Sequence, residues 1–183
     1  MKHHYLLGPL ALVAALQANA APLKIDPAQS SVSVVFKQVS VPVEAKFRRF
    51  DAMLDFDAAK ISTSKAQITI DTGSLDVGEP ESNKEVAKKE WFNVAQFPKA
   101  SFVTSSIKEN GPGKLLVSGA LSIKGKTAQV SFPVTTTVQG KRQVFNGALP
   151  IRRTAFGIGE GDWSDTTIVA DQVTIKFQLV AVK

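Results

Sequence analysis

The sequence of 183 residues contains no cysteine, and its histidines and tyrosine stand together near the start. The two histidines are His3 and His4, and the single tyrosine is Tyr5. The remainder therefore lacks imidazole, thiol and phenol groups. This excludes Ser-His-Asp and Cys-His nucleophiles, zinc sites built on His or Cys, and a redox dithiol. Carboxylates, lysines and hydroxyls are the groups that remain for catalysis.

Residues 1–20 have the three parts of a secretory signal peptide. Lys2 supplies a charged start, residues 6–16 are an apolar run, and Ala18-Asn19-Ala20 is a small-residue cleavage site. The apolar run is well short of the roughly 20 residues that a membrane-spanning helix needs. We expect cleavage after Ala20, export to the periplasm, and a mature domain over residues 21–183.

The mature chain is moderately basic. Without Lys2 it has 21 basic and 16 acidic residues, a net charge of +5. The basic residues form short clusters separated by acids, which is typical of solvated strands and turns, and transient contact with an anionic membrane surface is the functional alternative. Nucleic acid is not an expected partner of an exported protein. A chain of this length can bury one core without disulfides, so we expect one domain.

Alternation of apolar and polar residues dominates the mature sequence and predicts β-strands with one buried face. The last segment alternates most clearly, with Val173, Ile175 and Phe177 opposed to Thr174 and Lys176. Glycine-containing turns separate many of the segments, which predicts antiparallel neighbours. The fold class expected is all-β, with a sheet that closes into a barrel or folds into a sandwich.

One segment departs from this alternation. Ser82-Asn83-Lys84-Glu85 has the pattern of a capping box, which predicts a helix of about 10 residues that ends near Asn93. Pro98 prevents the helix from continuing further. Pro133 lies on the polar side of a strand, where it removes a backbone donor, so that strand is expected to be bulged or locally at an edge.

Carboxylate chemistry is one alternative for function. Asp71-Thr72-Gly73-Ser74 is similar to the loop of aspartic proteases, but that chemistry needs two aspartates that share a proton, and the loop occurs once. A carboxylate-dependent hydrolase would show itself by loss of turnover when Asp71 or Glu85 is replaced. A second alternative is a structural or stress-related interaction protein with a filled barrel. The residue inventory favours neither, and we expect no catalytic residues, no metal and no enzyme activity.

The phenylalanines are more informative. All eleven lie in the mature chain, and several, including Phe36, Phe132 and Phe177, fall on the apolar side of their strands. They could simply pack a core. An eight-stranded barrel also has enough interior for one apolar ligand, so some of them could line a cavity.

A series of short segments, spread in fixed order over the mature chain, resembles the YceI-like family of exported lipid- or polyisoprenoid-binding proteins. The segments include Phe97-Pro98-Lys99-Ala100-Ser101-Phe102 and Arg152-Arg153-Thr154-Ala155-Phe156-Gly157. The full series covers residues 30–36, 47–50, 54–56, 70–75, 91–93, 97–102, 117–125, 151–158 and the final strand.

The resemblance implies an extended, lipocalin-like antiparallel β-barrel with one short helix near one end and an apolar tunnel along its axis. Relatives bind isoprenoid-chain molecules such as quinone-related lipids, and several form dimers. This chain departs from the family at the helix entry, where it has Ser82-Asn83-Lys84-Glu85, and at Ala155, where an acidic residue is common. Both positions concern the recognition of a head group rather than of an apolar tail.

The resulting hypothesis is a periplasmic carrier or sequestering protein for a long-chain isoprenoid or related lipid, held as a ligand without any cofactor. Strand parity and size select the tunnel residues Phe36, Phe56, Ile68, Ile70, Phe102, Leu121, Phe132 and Phe177. Phe92, Phe97 and Phe156 are expected to close the ends of the tunnel. A homodimer is expected by analogy with the relatives.

Overall fold

The structure is a computed structural model that describes residues 22–182. The signal peptide predicted over residues 1–20, with its cleavage site, lies outside the described residues. The strands are β1 (Lys24–Ile25), β2 (Ser31–Gln38), β3 (Val41–Phe47), β4 (Phe50–Asp55), β5 (Lys65–Asp71), β6 (Leu75–Asp76), β7 (Lys99–Glu109), β8 (Lys114–Ile123), β9 (Lys126–Gln139), β10 (Arg142–Arg152) and β11 (Gln172–Val182), and the α-helix is α1 (Pro80–Val86).

These strands form one curled antiparallel sheet. Its order is β4-β5-β7-β8-β9-β10-β11-β2-β3-β6, and β1 pairs with the end of β11. The β4 edge is joined to the region of β1, where the Leu23 amide donates to the Leu54 carbonyl at 2.7 Å. At the other edge, the Arg48 amide donates to the Ser74 carbonyl at 3.0 Å and extends the pairing of β3 with β6. The sheet therefore curls into an incompletely closed barrel, which confirms the all-β prediction.

Alternation decides which side chains enter this barrel, because successive residues of a strand point to opposite faces. In β8 the residues Leu115, Val117, Leu121 and Ile123 are buried. The tight connections at Gly125 and Gly140 have positive φ values of 74° and 62°, which glycine adopts without steric cost. The connections predicted from glycine therefore do join antiparallel neighbours.

Two prolines separate β9 from β10 over part of their length. The strands pair from Arg142 with Gln139 as far as Gly147 with Val134, and the pairing stops there. Pro133 is the next residue of β9, and Pro150 lies further along β10. Neither has an amide hydrogen to donate. The prediction that Pro133 lies at a local edge is thus confirmed, and the strands diverge beyond it.

The helix differs from its prediction. It begins at Pro80, with Glu79 as N-cap, and ends at Val86, so it is shorter than expected. The prediction of a capping box at Ser82 was wrong, because Ser82 already lies inside the helix. Pro80 occupies the first turn instead, where its missing amide hydrogen has no cost. The Glu85 carboxylate accepts hydrogen bonds from Lys88 and Trp163. None of the helices in residues 22–182 has both the length and the apolar character needed to cross a membrane.

Candidate functional site

The curled sheet encloses an apolar cavity of about 250 Å³. That is larger than the ~150 Å³ cavity in which an engineered protein binds benzene. Residues from β2, β3, β5, β7, β8, β9, β10 and β11 form its walls, and α1 with the segment 153–169 covers one end. Nearly all of the lining side chains are apolar, and the polar exceptions are Gln38, Ser82, Glu85, Ser101 and Arg153.

Seven of the eight predicted tunnel residues line this cavity. They are Phe36, Ile68, Ile70, Phe102, Leu121, Phe132 and Phe177. Three of their rings, on the alternate strands β7, β9 and β11, form a continuous aromatic surface: the Phe132 centroid lies 5.4 Å from that of Phe102 and 6.0 Å from that of Phe177. Their separations are those of favourable aromatic pairs.

Two glycines make room for these rings. A Cβ atom built on Gly147 would lie 2.3 Å from Cζ of Phe177, and one built on Gly119 would lie 2.7 Å from Cζ of Phe102. Any larger residue at either position would therefore displace a cavity ring or the strand itself. At both positions, the absence of a Cβ atom lets an aromatic ring of the cavity pack directly against the backbone.

Phe56 lies elsewhere. It lies just beyond the end of β4 and is buried as the alternation predicts, but no residue of β4 lines the cavity. Its side chain is buried in the core, where its ring packs edge-on against Phe145 with 5.1 Å between centroids. Phe56 thus packs the core and does not line the cavity.

The three residues predicted to close the ends have different positions. Phe92 lines the cavity and packs edge-on against Phe47, with 6.2 Å between centroids. The Phe97 ring covers Gly125, outside the cavity lining. Phe156 is buried beside Ala128 and Ile151, in the gap left where β9 and β10 diverge. Of the three, only Phe92 lines the cavity. Phe97 packs over a turn, and Phe156 fills the gap in the sheet.

Arg153 is a cavity residue that the alternation of strands could not identify. Its side chain is 2 % exposed, and all five of its N–H groups donate to backbone carbonyls. The acceptors are Val169, Ala170, Ile158, Gly159 and Trp163, at 2.8 to 3.2 Å. Burial lowers the pKa of the guanidinium. The arginine ties the segment 153–169 over one end of the cavity.

The helix α1 contributes a second polar contact at the same end. The Trp163 indole donates to Glu85 at 3.0 Å, and Lys88 donates to the same carboxylate at 2.5 Å. The Lys88 bond, together with that from Trp163, lowers the pKa of Glu85. Glu85 therefore stays ionised and joins α1 to the covering segment.

Asp71, the candidate carboxylate of the protease-like loop, lies outside the cavity and forms local hydrogen bonds. At the end of β5, its carboxylate accepts hydrogen bonds from the Gly73 amide and from Arg49, both at 3.0 Å. Arg49 lies in the corner between β3 and β4. The Arg49 hydrogen bond lowers the pKa of Asp71. Across residues 22–182, no cluster of three His, Cys, Asp or Glu side chains is suited to hold a metal ion.

An antiparallel sheet curled around an internal apolar cavity defines the class of lipocalin-like proteins. A family model described as the YceI-like domain matches residues 23–181. The chain belongs to the YceI-like family, as the order of its segments predicted.

Solved and curated relatives agree with this assignment. The crystal structure of BcnA from Burkholderia cenocepacia is 48% identical, with a TM-score of 0.85, and the match covers 87% of this chain and all of that one. A UPF0312 protein from Shewanella denitrificans is 32% identical over 169 residues, which is 86% of this chain and 88% of the relative. A polyisoprenoid-binding domain from Saccharophagus degradans shares the fold, with a TM-score of 0.69 at 16% identity, over 86% of this chain and 96% of the domain.

Proposed function

We propose that this protein binds a long-chain isoprenoid or related lipid, quinone-like in character, and carries or sequesters it in the cavity. The observation that carries the proposal is the cavity itself, with walls that are almost entirely hydrocarbon and aromatic. At roughly 25 cal/mol per Å² of apolar area, a tail that buries several hundred Å² gains several kcal/mol, less the cost of ordering it.

Two further facts support this proposal. The neighbour from Saccharophagus degradans is described as a polyisoprenoid-binding domain, although at its low identity it supports only the shared fold. The cavity wall carries side chains from most strands of the sheet, so its shape follows from the fold that the family shares.

We further propose that the protein acts in the periplasm after cleavage behind Ala20. Such cleavage leaves Leu23 in the mature chain, close to its new N-terminus. Leu23 pairs with Leu54 and so joins β4 to the region of β1. Export would therefore leave this contact intact. Dimerisation and transient contact with a membrane surface stay predictions from the resemblance.

The direct test is extraction of the exported protein with organic solvent, followed by mass spectrometry of the extract. We expect a stoichiometric isoprenoid lipid, and the stripped protein should take it up again when it is offered. If purified protein yields no lipid and takes up none while still folded, the proposal fails and the filled-barrel interaction protein is favoured.

A blocked variant makes the test specific for the cavity. Val34 is partly buried on the cavity wall, whereas Val103 is 45% exposed on β7. Val34→Trp should abolish stoichiometric uptake because the indole occupies the space of the tail. The matched Val103→Trp should retain it. Equal uptake by both variants would show that the lipid binds outside the cavity.

A further inference from the structure

We propose that the covered end of the cavity recognises a neutral head group with a hydrogen-bond-accepting oxygen, such as a carbonyl, and that the Trp91 indole N–H is its donor. This inference rests on the proposed function, since it assigns an orientation to the bound lipid. The head group lies beneath α1 and the segment 153–169, and the tail extends toward Phe102 and Phe132.

The polar side chains of the cavity gather at this end. Ser82 and Glu85 belong to α1, and Glu85 accepts a hydrogen bond from Trp163 of the covering segment. Gln38 pairs with Val169, whose carbonyl accepts from Arg153. Apart from Ser101 on β7, the rest of the lining is apolar. A lipid with one polar end therefore has one favourable orientation.

Trp91 supplies the unused donor. Its side chain is 9% exposed and lies on the cavity wall, and its indole nitrogen is buried without a hydrogen-bond partner in the described structure. Buried tryptophans usually find an acceptor for this group. Its neighbours include the Trp163 ring, 5.3 Å away between centroids, and the Arg153 guanidinium, 5.9 Å from the Trp91 ring. A guanidinium has no acceptor, and an aromatic ring is a weak one.

The surroundings favour a neutral acceptor over an anion. A phosphate or carboxylate is bound best by several charge-assisted donors, often an arginine fork. All N–H groups of Arg153 are already donated to backbone carbonyls. The ionised Glu85 lies at the same end and repels an anion. One unused indole N–H suits a single carbonyl oxygen.

The test compares three probes in equilibrium binding to the full mature protein: a long-chain isoprenoid benzoquinone, squalene, and a polyprenyl phosphate. The wild type should bind the quinone most tightly. Trp91→Phe keeps an aromatic ring but removes the N–H, and should weaken quinone binding by about 5- to 10-fold, as expected for the loss of one hydrogen bond. Squalene has no hydrogen-bond acceptor, so Trp91→Phe should weaken its binding much less than that of the quinone.

Trp163→Phe is the matched substitution. Its indole N–H is already accepted by Glu85 at 3.0 Å, so its loss should change the quinone and squalene affinities by the same factor. The inference is overturned if Trp91→Phe changes both affinities equally, or if the phosphate binds most tightly. Absence of binding for all three probes by the wild type would instead overturn the proposed function.

Discussion

Among residues 22–182, no carboxylate accepts a hydrogen bond from the buried cation Arg153. Its fork of donors satisfies five carbonyls that the segment 153–169 would otherwise bury unpaired. Lysine offers three donors from a single point, so it cannot reproduce this planar arrangement. The residue therefore acts as the internal support of the covering segment.

We expect Arg153→Met to lower the free energy of unfolding by roughly 3 to 5 kcal/mol, because several buried carbonyls lose their partner. Arg153→Lys should recover only a small part of this loss. Urea denaturation of the three proteins measures the effect. If the lysine variant is as stable as the wild type, the positive charge and not the fork is what matters.

Asp171 sets an acid dependence of stability. Its side chain is 18% exposed and accepts hydrogen bonds from the Thr154 hydroxyl at 2.7 Å and from Arg152 at 2.7 Å. These contacts, that of Thr154 foremost, lower the pKa of Asp171 to about 2. A carboxyl with a depressed pKa in the folded state contributes stability above its unfolded pKa. The contribution is lost as the pH falls through the folded pKa.

We therefore expect stability to fall between about pH 4 and about pH 2 as Asp171 takes up a proton. Asp171→Asn should cost roughly 1 to 2 kcal/mol at pH 7, a value reduced for the solvent screening of Arg152. At the acidic end of this range the variant and the wild type should converge. Urea midpoints measured at several pH values provide the comparison, and a constant difference at every pH would contradict the assignment.

The divergence of β9 and β10 is the main irregularity among the elements. Pro133 and Pro150 both lie in the unpaired stretch, and Phe156 fills the gap that results. Ile151 faces this gap and also lines the cavity. Ile151 therefore lies between the cavity and the region that Phe156 seals.

Removal of the Phe156 ring should affect both the stability of the protein and the release of a bound lipid. We expect Phe156→Ala to lower the free energy of unfolding by roughly 3 to 5 kcal/mol, as for other buried phenylalanines. It should also speed the release of a bound lipid, measured by transfer to empty acceptor protein. Phe56→Ala is the control, since Phe56 is also buried but packs against Phe145. Equal release rates from the two variants would show that the gap is no route for the ligand.

For the whole molecule, a ligand that binds only the folded state raises stability by mass action. At 100 times its dissociation constant it adds about 2.7 kcal/mol, which for a chain of this size raises Tm by about 5 to 10 °C. We expect this rise with an isoprenoid quinone for the wild type and Val103→Trp. The cavity-blocked Val34→Trp should show none, and a rise of similar size there would place the binding elsewhere.

The elements with clear alternation were predicted well because their pattern is local. The inward residues of β2, β5, β8, β9 and β11 follow from parity, and seven of eight tunnel candidates line the cavity. In β7 parity holds only as far as the irregularity between Thr104 and Ser106, beyond which Ile107 is the buried residue. Parity correctly gave Phe56 as buried, but it cannot show that the cavity does not reach β4. The covering end was missed because Trp91, Trp163 and Arg153 lie outside regular strands and come together only in the folded chain.

The sequence by itself determined the all-β class, the inward faces of the strands and membership of the family, since side-chain direction in a strand depends only on the alternation of residues. The tertiary structure decided which strands meet, that β9 and β10 diverge, and that one end of the cavity is polar. These depend on contacts between residues distant in sequence, such as Leu23 with Leu54 and Glu85 with Trp163. Long-range contacts of this kind leave no periodic signal in the chain.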